Sequence, residues 1–255
     1  MERFWKVLIF LAALFGVLAI TSQGQAANVS DSKAAIVVDA QSGQILYQQN
    51  IDQRLPIASL TKLLTVLVVE DEVKQGQLTW NTRVKITPDI VAIANNPEYS
   101  NVGLQVGQKY TVENLVRAAL VKSADGATLA LASAAGDDTV SFNQKLQAKA
   151  HALGVTDAKL VNAVGLANGD LPAKRRVLGL AEKTENEMSA RDVAKIASYL
   201  VVHSQHLNQI TQQAAMTLKI NATTTKTIRN INELITGTQY AVGGGTIHRP
   251  EDGHF

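Results

Sequence analysis

Pro56-Ile57-Ala58-Ser59-Leu60-Thr61-Lys62-Leu63-Leu64 sets a hydroxyl and an amine three residues apart. The run Leu63-Leu64-Thr65-Val66-Leu67-Val68-Val69 follows directly. If that run is a helix, Ser59 lies in its first turn and Lys62 one turn on, on the same face. A first turn offers unpaired backbone N–H groups and the positive end of the helix dipole, both favourable to developing negative charge. A lysine there can take the serine proton, provided burial leaves part of it neutral. Alone, the spacing fits a serine N-cap before a solvated lysine equally well. The rest of the chain must supply the other parts of an acyl-transfer site. The helix is expected to run to about Gln75, with Gly76 ending it. It is apolar nearly all round through Val69, which predicts a buried central helix.

Upstream, Lys33 to Ala40 contains the β-branched run Ile36-Val37-Val38, and Ile45 to Gln49 is a second apolar run. With Gln41-Ser42-Gly43-Gln44 between them, the two predict a β-hairpin. Pro56 stops any helix before Ser59. Farther back, Arg3 and Lys6 precede an uncharged apolar stretch, Val7 to Ile20, and then Gly24-Gln25-Ala26. This is the layout of a cleaved secretory signal over residues 1–26, with a globular domain over 27–255. The stretch is short for a membrane span, so membrane association is expected only if the segment stays uncleaved. The domain is accordingly expected outside the cytoplasm. With no cysteine, its stability must come from packing.

Downstream, Gln77 to Thr87 reads as a linker with a short strand at Val84-Lys85-Ile86. Thr111 is placed to cap a helix that stops at Lys122-Ser123-Ala124-Asp125-Gly126. A small apolar helix follows at once, then one over Val140 to Leu153 closed by Gly154. Another is expected from Ser189 to about Val202, and extended chain at Met216 to Ala222 and Lys226 to Ile231. Strands at both ends and helices between predict an α+β fold, its sheet drawing on both termini. At 255 residues, 46% hydrophobic and 18% charged, the chain can bury a sizeable core. A net charge of +2 without a basic, aromatic-laced cluster gives no support to nucleic-acid binding. His203 and His206 lack the carboxylate or cysteine company of a metal site.

Ser59-Leu60-Thr61-Lys62 follows the pattern Ser-x-x-Lys, and Ser123-Ala124-Asp125 approaches its companion Ser-x-Asn, with aspartate in place of the asparagine. Asp39-Ala40-Gln41-Ser42-Gly43, Leu46-Tyr47, Val106 to Leu115, Lys149 to Gly154 and Asn162-Ala163-Val164-Gly165-Leu166 add to it in order. From about Ala34 to Ile235 the chain resembles secreted D-alanyl-D-alanine carboxypeptidases, the low-molecular-mass penicillin-binding proteins. The resemblance implies a serine β-lactamase/penicillin-binding-protein-like antiparallel sheet with a helical subdomain. It further implies removal of the terminal D-alanine from peptidoglycan stem peptides through an acyl-enzyme, with β-lactams as covalent inhibitors. Ser59 then corresponds to the nucleophile, Lys62 to its base and Ser123 to the hydroxyl that relays protons to the leaving group. No cofactor or metal is implied. A class A β-lactamase would need a Glu-x-x-x-Asn element, which Glu185 to Glu187 does not supply; a non-enzymatic wall-binding protein is the other alternative.

Two departures from the family pattern stand out. Asp125 occupies a substrate-facing position where the family usually has asparagine. A carboxylate there favours the ammonium form of Lys62, which opposes a base role, and repels a substrate carboxylate. Lower activity is expected unless a cation neutralises it. The third motif, Lys-Thr-Gly, is missing: Ile235-Thr236-Gly237 lacks the lysine and comes too early. After Thr246-Ile247 the chain reads His248-Arg249-Pro250-Glu251-Asp252-Gly253-His254-Phe255. Codons for these residues, read one nucleotide later, can spell Thr-Gly-Leu-Lys-Thr-Gly-Thr. The chain is therefore expected to leave its ancestral frame near Ile247, to be truncated at the C-terminus and to lack the final strands. The expected consequence is an unpaired hairpin edge and impaired activity.

Overall fold

The start of the central helix is continuous with a tight turn before it. Ala58–Leu60 forms a 3-10 turn, and Leu60 and Thr61 keep helical dihedrals into helix α1, Thr61–Lys74. The computed structural model describes residues 32–136, 138–221, 223–233, 235, 248–249 and 253–254. The chain divides into Met1–Ser32 and Lys33–Phe255. The expected signal segment lies outside the described residues, as does most of the stretch beyond Ile235.

Helix α1 is buried from Thr61 to Glu70 except for Leu63, which is half-buried. A helix without a polar face must be covered on all sides. Four further helices cover it: α3 (Val112–Lys122), α4 (Asp125–Ala135), α5 (Thr139–Ala152) and α6 (Ala190–His203). Leu64 and Leu67 are fully buried, and burial of each such side chain contributes about 1.5–3 kcal/mol. Small residues let α4 lie close to its neighbours; Asp125 to Ala132 are all buried. Two short helices complete the set. Helix α2 (Pro88–Ala94) starts on a proline at its first turn, and α7 is Gln205–Thr211.

The capping expectation at Thr111 holds, and Ser189 caps the helix expected to start there. Thr111 Oγ1 accepts from Asn114 N–H at 3.2 Å at the head of α3. Ser189 Oγ accepts from Asp192 N–H at 3.1 Å at the head of α6. Both remove orphan donors from a helix start.

The strands are antiparallel and pair in twos. The N-terminal hairpin is β1 (Ala35–Val38) with β2 (Ile45–Gln49), its turn tied by Ser42 N–H and Oγ to Asp39 Oδ1, both at 2.7 Å. Strand β3 (Arg54–Pro56) pairs with β6 (Glu187–Ser189), and β4 (Arg83–Lys85) with β5 (Lys109–Thr111). Strand β7 (Ala215–Lys219) pairs with β8 (Thr225–Arg229) and packs with it on α3. The two-residue β9 (His248–Arg249) meets β10 (Gly253–His254). The α+β class holds, but among the described residues no ladder joins the first hairpin to β7–β8; β1 lies against α6 instead. For the site, the β3–β6 pair matters most. It fixes the chain that enters Ser59 beside the chain that carries Asn186.

Candidate active site

Lys62 is 2% exposed, and its amine is ringed by oxygen. Its Nζ donates to Ser59 Oγ at 2.6 Å and to the Val164 carbonyl at 3.3 Å. It also lies 2.7 Å from Asp125 Oδ1, with both side chains 3–4% exposed. That oxygen accepts no aligned hydrogen bond, so charge proximity carries the contact. Desolvating two such ions costs several kcal/mol apiece, which their mutual attraction must offset.

Local chain geometry explains how the pair meets. Ser59 sits in the 3-10 turn, not in the α-helix proper, and Ala58 before it has a left-handed φ of 42°. That conformation is uncommon for alanine and clusters at functional sites. It starts the turn that leaves Ser59 half-exposed above the buried Lys62. On the other side, Ser123 ends α3 as a left-handed C-cap (φ 55°, ψ 34°), and Ala124 is extended. The reversal starts α4 at Asp125, whose N–H donates to the Ser100 carbonyl at 2.9 Å. Among the described residues, Ser123 makes no side-chain hydrogen bond to Ser59 or Lys62. Ser59, Lys62 and Asp125 are thus in mutual reach of Lys62 Nζ, and Ser123 stands two residues behind Asp125.

The segment from Val161 to Leu166 forms the third side. Asn162 Oδ1 accepts from Val164 N–H at 3.0 Å and from Gly165 N–H at 2.7 Å. Its Nδ2 donates to the Leu166 carbonyl at 2.7 Å. Thr65 Oγ1, on α1, donates to the Ala163 carbonyl at 2.7 Å. Gly165 has φ 85°, and a Cβ there would collide with the Ala58 carbonyl and Thr61 Oγ1. The sequence marks this segment only through family resemblance. Asn186, which ties it to α1, carries no sequence signal, because it lies in a polar run without periodicity.

The rim near Asp125 is acidic. Burial raises the Tyr99 phenol above its ordinary value, and the carboxylates of Asp170, Glu98 and Asp125 push the same way. Among the described residues no group of three or more histidines, aspartates and glutamates could hold a metal ion. A buried amine against a half-exposed hydroxyl at a helix start is an arrangement suited to nucleophilic catalysis.

Comparison with known proteins gives a consistent picture. D-alanyl-D-alanine carboxypeptidase DacF of Bacillus subtilis is 25% identical over 136 residues, which covers 53% of this chain and 34% of that protein. The D-alanyl-D-alanine endopeptidase of Escherichia coli is 25% identical over 240 residues, covering 91% of this chain and 68% of that protein. A solved structure of a peptidoglycan synthesis regulatory factor (PBP3) from Streptococcus pneumoniae matches with a TM-score of 0.78 at 32% identity. It covers 88% of this chain and 61% of that one. The chain therefore spans about a third of the Bacillus protein and under two thirds of the pneumococcal one. The sequence profile described as D-alanyl-D-alanine carboxypeptidase matches residues 21–247. By that match over most of its length, the chain belongs to the D-alanyl-D-alanine carboxypeptidase family.

Proposed function

We propose that the chain is a serine-type D-Ala-D-Ala carboxypeptidase acting on peptidoglycan stem peptides. The observation that carries this reading is the 2.6 Å contact between Lys62 Nζ and Ser59 Oγ in a buried setting. When Lys62 is neutral, the same line lets Ser59 pass its proton to Nζ as Oγ attacks the carbonyl carbon of the penultimate D-alanine. The positive helix start favours the oxyanion that forms. Collapse breaks the peptide bond, and the departing D-alanine amine takes the proton back from Lys62, with Ser123 as relay. Water then hydrolyses the Ser59 ester and frees the shortened peptide. A β-lactam would acylate Ser59 in the same way, its opened ring staying attached.

The basic and apolar N-terminal segment and the wall substrate support action outside the cytoplasm. No helix among the described residues is long and apolar enough to cross a membrane. The Lys62–Asp125 contact favours one second reading, a site that binds stem peptides but acylates slowly, because Asp125 competes with Ser59 for the amine.

The test is release of free D-alanine from a synthetic stem peptide ending in D-Ala-D-Ala, run beside a cross-linked dimer of the same peptide. Release from the linear peptide, abolished in Ser59→Ala, is the expected result. Cleavage of the cross-link alone would replace the reading with an endopeptidase like the Escherichia coli relative. No cleavage of either, with the peptide still bound, would favour the binding role.

A further inference from the structure

We propose that Asn186 is a positioning residue that sets the orientation of the Lys62 amine; the proposal rests on the acyl-transfer reading above. Asn186 is fully buried, and every polar atom of its side chain is used. Oδ1 accepts from Val161 N–H at 2.6 Å and Asn162 N–H at 3.2 Å. Nδ2 donates to Thr61 Oγ1 at 2.9 Å and to the Asn162 carbonyl at 2.8 Å. Its own carbonyl accepts from Ile57 N–H at 3.0 Å. One residue thus joins the chain entering Ser59, the first residue of the helix that carries Lys62, and the Val161 to Leu166 segment.

The consequence follows from the valence of nitrogen. A neutral lysine amine has two N–H bonds and one lone pair. Two of its three oxygen neighbours can only accept: the Val164 carbonyl takes one N–H in a hydrogen bond, and the Asp125 carboxylate, which accepts no aligned bond, attracts the other by charge alone. The remaining neighbour, Ser59 Oγ, can donate and receives the lone pair. Where the Val164 carbonyl lies therefore decides whether the lone pair points at the nucleophile. Asn162 fixes Val164 within its own segment, and Asn186 fixes that segment to Thr61. Among the described residues, the Asn186–Thr61 bond is the side-chain to side-chain link between the segment's clamp and the first residue of α1, one position before Lys62.

Covalent labelling of the full chain with a fluorescent penicillin tests this. The saturating acylation rate constant and the half-saturating concentration are measured per folded molecule, with the folded fraction taken from thermal unfolding. Thr61→Val keeps the shape but removes the acceptor hydroxyl; Asn186→Asp keeps the shape but removes the donor. Both are expected to lower the saturating rate roughly 10- to 100-fold while half-saturation stays put, as misplacing a reacting group by about 1 Å does. Thr61→Ser, which restores the hydroxyl, should recover most of the rate. Equal rates per folded molecule in all variants would overturn the positioning role and leave the acyl-transfer reading intact. A parent chain that takes no label at all would overturn both.

Discussion

Asp125 is the residue on which the chemistry of this site turns. Its carboxylate is the counter-ion of Lys62 at 2.7 Å, buried with it, so the neutralising cation is the base itself. A carboxylate at that distance competes with Ser59 for the amine that must take its proton. Asp125→Asn removes the carboxylate that holds the Lys62 amine and repels a substrate carboxylate, and is therefore expected to raise the acylation rate at neutral pH about tenfold. Stopped-flow labelling of both proteins checks this, and an unchanged rate would count against it. At this scale the Ser59–Lys62 spacing was legible because the 3-10 turn runs straight into α1 and keeps side chains three apart on one face. The ion pair was not, since spacing alone cannot place position 125 against position 62. Asn186 was less legible still: its partners lie at positions 57, 61, 161 and 162, and only the fold brings them together.

Among the elements, the segment from Val161 to Leu166 and the 3-10 turn act as one piece, with Gly165 at their closest approach. Gly165→Ala combines a positive φ with a collision against the Ala58 carbonyl and Thr61 Oγ1. The backbone term alone costs about 1–3 kcal/mol, and the displaced turn carries the nucleophile. The expected result is a clear loss in urea unfolding together with loss of penicillin labelling. Gly154→Ala is the control: φ is 75° but nothing lies within 4 Å of the new methyl. It should lose stability by about the strain term alone and keep its labelling rate per folded molecule. Equal labelling rates in the two variants would show that the close approach does not hold the site. The long helices were readable from sequence because period and caps agreed at Thr111, Ser123, Gly154 and Ser189. The β3–β6 pair was not. Its strands are three residues long, one contains Pro56, and their pairing depends on residues more than a hundred positions apart. Helix α2 did carry a signal in Thr87-Pro88-Asp89, a proline at the first turn followed by an acid, just past the stretch read as linker.

For the molecule as a whole, the α+β class was legible because its helices are long and apolar, while the partnering of its short strands was not. Stability toward acid depends on groups such as Asp192, which joins the head of α6 to the β6 strand beside the site. Burial pushes its carboxyl up, but the hydrogen bonds from Lys195 and Ser189 and the Lys195 charge outweigh this and hold it below the ordinary value. Such a depressed group contributes stability that is full above the unfolded value, 3.8, and lost as pH falls through the folded one. Asp192→Asn should flatten the acid side of the stability profile and lower stability at neutral pH by about 1.5–3 kcal/mol. Urea midpoints between pH 2 and 7 test it, and parallel profiles would contradict it.

The central claim is that Ser59 is a nucleophile activated by Lys62. Its most direct test is the intact mass of the full chain after incubation with a penicillin, followed by peptide mapping. The account predicts a gain of one penicillin mass per chain, mapped to Ser59 and absent in Ser59→Ala. A chain that gains no mass, or one whose adduct persists in Ser59→Ala, would contradict it.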